Sequence, residues 1–126
     1  MKIAIVGGRD FEDYNKMQRV IESYFDDNIE LWDRKNVIFV SGGAKGADSL
    51  MEKFAKKFDY NTLIFKPDWN LYGKSAGFVR NRKIIQNSDV VFAFWDGQSK
   101  GTKNSIDIAN ELGKELYIIK YGRIDF

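Results

Sequence analysis

The chain has 126 residues, 44% hydrophobic and 15% aromatic, with 20 basic and 18 acidic side chains and a net charge of +2. That length suits one domain, residues 1–126, able to bury roughly two thirds of its unfolded surface, and the composition excludes a disordered tail. With no cysteine and no histidine, disulfides, thiolate chemistry, Cys/His zinc sites and imidazole catalysis are excluded, and the near-balanced charge does not announce a nucleic-acid or membrane-surface protein.

The opening KIAIV (residues 2–6) is short, β-branched and ends at Gly7-Gly8, which predicts a first strand. Its apolar run is too short for a signal peptide, and no segment is long enough to span a bilayer. From Asp13 the period turns helical, with Tyr14, Met17, Val20, Ile21, Tyr24 and Phe25 on one face and Asp10 or Asp13 suited to the cap. Residues 26–36 read as a polar connection whose Ile29, Leu31 and Trp32 pack down. VIFV (37–40) is a second strand. The turn SGGAKGAD follows, and then a helix with Leu50, Phe54 and Phe58 on one stripe, Met51 and Ala55 beside it.

NTLIF (61–65) is a third strand closed by Pro67, and residues 67–77 form a long aromatic loop. Residues 78–87 read as a helix, and DVVFAFW (89–95), the most apolar strand, takes a central place in the sheet. DGQSKG (96–101) is another glycine-rich turn. The helix after it points Ile106, Ala109 and Leu112 inward and stops at Gly113, before a last strand at ELYII (115–119).

Five strands alternating with four helical segments predict an α/β, three-layer, Rossmann-like domain. Its five-stranded, mostly parallel sheet has right-handed crossovers and helices on both faces. Ligands of such sheets sit beyond the carboxyl ends of the strands, where strand order reverses. The turns at Gly7-Gly8, Ser41–Gly46 and 96–101 all lie at strand ends, and order 3-2-1-4-5 brings them to one crevice. Each glycine has two readings: it closes a turn, or it removes a Cβ so that a phosphate can reach the helix N-terminus. With about 1.5–3 kcal/mol from each hydrogen bond to a charged oxygen, the turns at 41–47 and 97–102 can reach the about 8 kcal/mol of micromolar binding. Thr102 offers a hydroxyl donor, and Ser41 either a donor or a cap.

GGRDF after strand one, SGGAKGAD after strand two, DWNLYGKSAGFVRN, and GQSKGT after strand four occur in this order. Over about residues 2–119 the chain resembles the YspA-like members of the SLOG superfamily, Rossmann-like domains of bacteria and their phages. These are distant kin of the Lonely Guy phosphoribohydrolases and of the DNA-processing protein DprA. The resemblance implies a nucleotide-type ligand at the three turns.

It matches Gly7, Gly8 and Arg9 to a first motif, Arg9 pairing with a phosphate or with a nearby acid. Asp10 accepts from a ribose hydroxyl or caps a helix. Ser41, Gly42, Gly43, Gly46 and Asp48 match a second motif. Trp69, Tyr72, Gly73 and Lys74 match a third, the aromatics stacking on a base or packing the loop onto the sheet edge. Arg80 and Asn81 match a helix pointing toward the crevice, and Gly97, Gly101 and Thr102 the phosphate-binding turn. The phosphoribohydrolases carry a glutamate three residues after their Gly-Thr; here that position is Ser105. Arg80 and Asp48 remain the catalytic candidates, with Asp10 and Asp96 as further acids.

The main expectation is a cytoplasmic protein that binds a nucleotide or nucleotide-derived molecule, requires no cofactor, and holds no metal, though acids near a phosphate can recruit Mg²⁺. An N-glycosidic hydrolase of nucleoside monophosphates and a DprA-like single-stranded DNA binder are the alternatives. For the latter, Lys45, Lys74, Arg80, Arg82, Lys83, Lys100 and Lys103 lie toward the crevice end. The overall charge nonetheless puts nucleic acid aside as a partner. The tail KYGRIDF (120–126) either docks a second copy through Tyr121 and Phe126 or covers the sheet edge.

Overall fold

The computed structural model describes residues 1–122; Phe126, a candidate docking residue, lies outside them. Five parallel strands, β1 (Lys2–Gly7), β2 (Ile38–Ser41), β3 (Asn61–Ile64), β4 (Val90–Trp95) and β5 (Glu115–Lys120), form one sheet in the order 3-2-1-4-5. This is the expected architecture. β1 and β4 pair in register from Ile3 opposite Val90 to Gly7 opposite Phe94, and both are buried on both faces. Their near-continuous Ile/Val/Phe runs are what an inner parallel strand requires.

The two faces differ in bulk. Ile3, Ile5, Phe39, Phe92 and Phe94 point to one side, under α1 (Tyr14–Asn28) and α2 (Ala47–Lys57). There Met17, Ile21, Phe25, Met51 and Phe54 meet them. Ala4, Val6, Val40, Val91 and Ala93 point to the other side, under α4 (Ala76–Gln86) and α5 (Lys100–Glu111), where Ile84, Ile85, Ile106 and Ala109 cover them. Each large side chain so buried contributes about 1.5–3 kcal/mol.

Several local expectations are corrected. Asp13, not Asp10, caps α1, accepting from the Lys16 N–H at 3.0 Å. Leu31 and Trp32 do not pack down. They sit exposed on a 3-10 segment (Leu31–Asn36), because Arg34 covers the core edge instead, with its guanidinium over the Phe25 ring and 3.1 Å from Asp26. On α2 the buried stripe is Met51, Phe54 and Ala55, while Phe58 is exposed at the C-cap. Leu112, at the C-cap of α5, is exposed as well. The 67–77 stretch is not all loop. Asp68 accepts from the Leu71 N–H and caps a one-turn helix, α3 (Trp69–Tyr72). A 3-10 turn (Gly73–Ser75) follows, and α4 begins at Ala76.

Candidate functional site

The first turn is bound to its neighbours by backbone. Gly8 donates its N–H to the Phe94 carbonyl at 3.1 Å and accepts from the Ala47 N–H at 3.2 Å. A Cβ on Gly7 would stand 2.6 Å from the Phe94 carbonyl oxygen and 2.8 Å from the Ala47 methyl. Gly46, with φ +79°, opens α2 directly beneath this turn, where a Cβ would strike the Gly8 carbonyl oxygen and the Arg9 backbone. The glycines at 7 and 46 therefore let two strand-end turns mesh.

The second turn is stapled by Asp48. Its carboxylate is buried and accepts from the N–H groups of Gly42 at 3.2 Å and Ala44 at 3.1 Å. The space at Gly42 is taken by the Arg80 guanidinium, and a Cβ on Gly43, φ +70°, would touch Ile64 at 3.0 Å. Ser41 is fully buried with its hydroxyl 3.5 Å from the Gly43 nitrogen. Ser41, Gly42, Gly43 and Gly46 thus serve the protein's own packing, and of the donors expected to cradle a phosphate at 41–47, the N–H groups of Gly42, Gly43, Ala44 and Ala47 already have acceptors.

Burial pushes the Asp48 carboxyl above the ordinary aspartate range, against the pull of the Ala44 N–H, the Arg80 charge and the Gly42 N–H. A carboxyl raised in this way holds its proton more tightly folded than unfolded. Its contribution to stability is present below the ordinary range and is lost as pH rises through the raised value. Melting temperatures of the wild type and Asp48→Asn, followed from pH about 4 upward, are expected to show this decline in the wild type and a flatter profile in the variant.

The third turn is different. Asp96 accepts from the N–H groups of Gln98 and Ser99, both at 2.8 Å, and these donors, Ser99 first, hold its carboxyl below the ordinary range. Ser99 caps α5, its hydroxyl accepting from the Thr102 N–H at 3.4 Å and lying 3.3 Å from the Thr102 hydroxyl. Among the described residues, the N–H groups of Lys100 and Gly101 meet no acceptor, and a Cβ on Gly101 would meet nothing within 4 Å. This helix start has open space beside it, whereas at the start of α2 the Ala47 N–H is taken by the Gly8 carbonyl and the Cβ position of Gly46 is blocked by the first turn.

These parts enclose a crevice of about 470 Å³ at the carboxyl rim of β1 and β4. It gathers Gly7, Gly8, Arg9 and Asp10 from the first turn and Asp48 from α2. Arg80 and Asn81 come from α4, and Gly101 and Thr102 from α5. A hydrogen-bonded chain ties its walls. Arg80 donates through Nη1 to the Gly42 carbonyl and through Nε to Asn81 Oδ1, both at 3.0 Å. Asn81 Nδ2 donates to Asn104 Oδ1 at 3.1 Å and to the Gly101 carbonyl at 3.4 Å. Burial lowers the Arg80 pKa, Asp48 supports it and Arg9 opposes it; an arginine stays charged under that balance.

Gly97, φ +88°, lies outside this crevice, beside Trp95, Lys100 and Lys103. Trp69 and Lys74 line a second hollow of about 610 Å³, which shares Arg9, Ala44, Arg80, Asn81 and Gly101 with the crevice.

Sequence reasoning missed Ser99 as the α5 cap, although serine is a favoured residue at a helix N-cap. It also missed Lys66 and Phe78 in the second hollow and, in Tyr121, a contact no local pattern announces. The Tyr121 hydroxyl donates to Asp10 Oδ1, fills the space at Gly8 and stands edge-on to Phe11. Tyr121 therefore packs over the carboxyl rim at the first turn of its own chain, after the central strand and not along the sheet edge. Among the described residues, no group of three acidic, histidine or cysteine side chains converges on a metal position, and no helix is long and apolar enough to cross a membrane.

A wound parallel sheet whose glycine turns meet where strand order reverses defines a Rossmann-like domain with its candidate site at the carboxyl rim. The model of the YspA, cpYpsA-related SLOG family matches residues 1–72, and the chain belongs to that family. It is 32% identical over 92 residues to the Gene 61 protein of Mycobacterium phage D29, covering 68% of this chain and 72% of the phage protein. Its fold resembles that of DNA processing protein A from Helicobacter pylori, a protein with a single-stranded DNA binding mode. The TM-score is 0.61 and the identity 22%, over 99% of this chain and 67% of that one.

That likeness is one of fold, and it corrects one expectation. Nucleic acid cannot be put aside as a partner when a chain of this fold binds single-stranded DNA. The physical reason is that net charge averages the whole surface, whereas a strand meets one face.

Proposed function

We propose that this protein binds the phosphate of a nucleotide unit in the crevice between the first turn and the start of α5. The observation that carries the reading is the start of α5: Gly101, whose N–H meets no acceptor and whose Cβ position is open, lines a crevice that Arg9 and Arg80 also line, and the neighbouring Lys100 N–H has no acceptor either. Helix N-termini and arginines are the standard partners of phosphate oxygens. At about 1.5–3 kcal/mol for each charged hydrogen bond, three or four contacts supply the about 8 kcal/mol of a micromolar complex.

The phosphate can belong to a free nucleotide or to a strand. The strand is favoured by the fold likeness to a single-stranded DNA binder and by the second hollow that adjoins the crevice. Either ligand is at home in the cytoplasm, where we place the protein.

N-glycosidic hydrolysis is not part of this reading. The expected glutamate is the buried Ser105, and the crevice's three carboxylates each have internal donors: Tyr121 for Asp10, two backbone N–H groups for Asp48 and two for Asp96. Incubation with nucleoside monophosphates, followed by chromatography, is expected to release no free base. Release that is lost in Arg80→Ala would assign the hydrolase instead.

Calorimetry with nucleoside 5′-monophosphates and with the same nucleosides lacking phosphate tests the binding. Fluorescence anisotropy with a labelled single-stranded oligonucleotide covers the second source. Phosphate-bearing ligands are expected to bind at least about tenfold tighter than nucleosides, and to weaken as salt rises. Equal binding with and without phosphate, or no binding of any of the three, overturns the reading.

A further inference from the structure

We propose that the second hollow is a base-stacking subsite, so that the ligand is a single-stranded nucleic acid with one phosphate at the start of α5 and a neighbouring base on Trp69. The inference rests on the phosphate site proposed above and adds what flanks it. The hollow is continuous with the crevice, since Arg9, Arg80, Asn81 and Gly101 belong to both. Its cations are Arg9, Lys66, Lys74 and Arg80, and no carboxylate lines it.

Two flat aromatic side chains stand in its walls with most of their area in solvent: Trp69 is 57% exposed and Phe78 53%. Trp69 is held up by a helix turn that Asp68 caps, and the positions at Gly73 and Gly77 have open space around them. Cations beside exposed aromatic faces are the composition of a single-strand track, where bases stack and the backbone follows the charge.

The track does not end there. Phe78 also borders a third, shallow hollow on α4 that holds Arg82 and Lys83 and again no carboxylate in its lining. Arg82 is paired with Glu111 at 2.8 Å, while the Lys83 ammonium lies over the Tyr72 ring. Three hollows in sequence, the first two sharing several residues and the last two meeting at Phe78, make a path longer than a single nucleotide. A strand occupies such a path fully; a small ligand with two phosphates occupies only its first two hollows.

Three probes test this: thymidine 5′-monophosphate, the corresponding dinucleotide, and oligothymidylate of about eight nucleotides. The wild type is expected to bind the oligonucleotide at least about tenfold tighter than the monophosphate. Trp69→Ala is expected to remove about tenfold from the oligonucleotide and less than about twofold from the monophosphate. The oligonucleotide should quench tryptophan fluorescence in the wild type and much less in Trp69→Ala. An unchanged melting temperature certifies the fold of the variant.

Equal affinity for monophosphate and oligonucleotide overturns the stacking subsite and leaves the phosphate crevice standing. So does a Trp69→Ala variant that keeps the full oligonucleotide affinity. A dinucleotide as tight as the oligonucleotide overturns the strand in favour of a small two-phosphate ligand. Absence of binding by all three probes removes the crevice reading itself, and the subsite with it.

Discussion

Gly46→Ala is expected to destabilise the fold by about 3 kcal/mol or more, read as a fall in the urea midpoint at unchanged slope. Two costs coincide at this position. The backbone at φ +79° and ψ −126° is a conformation that side-chain-bearing residues rarely adopt. The added methyl would also meet the Gly8 carbonyl oxygen and the Arg9 backbone, neither of which is the free end of a flexible side chain. Moving Gly8 is costly in turn, because its N–H and carbonyl join the first turn to β4 and to the first residue of α2. Gly97→Ala separates the two costs. It shares the positive φ, +88°, but has open space around it, so only the backbone strain of about 1–2 kcal/mol remains. If the two variants lose equal stability, the meshing of the first two turns is not what glycine serves at position 46.

Arg80→Ala is expected to weaken phosphate-ligand binding by about a hundredfold, the equivalent of two lost charged contacts. The measurement is calorimetry with the tightest ligand found for the wild type. Arg80 does two things at once. It ties the Gly42 carbonyl to Asn81, and it sets a charge over a crevice that a ligand oxygen can enter. The alanine variant also leaves the buried Asp48 carboxylate without its supporting cation, so a lower melting temperature accompanies the lost binding. Arg80→Lys keeps the charge but not the fork that reaches both partners, and recovers only part of the affinity.

Gly101→Ala provides the complementary result. It is expected to fold at least as stably as the wild type, since an alanine replaces a helical glycine in open space, yet to bind phosphate more weakly because a methyl enters the anion position. Full affinity in Arg80→Ala or in Gly101→Ala would move the ligand away from this crevice.

Much of the candidate site was legible in one dimension. Arg9, Gly101 and Thr102 follow a strand end or open a helix, and parallel strands in this order must bring those ends to one rim; Arg80 and Asn81, in the middle of α4, were named from the resemblance. The role of the second turn was not legible. SGGAKGAD reads as a phosphate cradle, but its free donors were claimed by Asp48 six residues on from Gly42 and its open space by Arg80, 38 residues away. The 67–77 stretch hid a helix turn because four residues are too few to show a period. Leu31 and Trp32 were misplaced because apolar character predicts burial only where no other side chain covers the core edge, and Arg34 does so here.

By itself the sequence determined the layered architecture of this protein: the alternation of strands and helices and the buried inner strands. Those features follow from spacing along the chain, with period two or 3.6, and from caps that act within a few residues. Only the tertiary structure decided which turn keeps free donors, where Arg80 and Trp69 stand, and that Tyr121 closes over Asp10 from 111 residues away. Each of those depends on which buried polar groups find partners once distant segments are packed, and hydrogen bonds made across the fold leave no period in the chain.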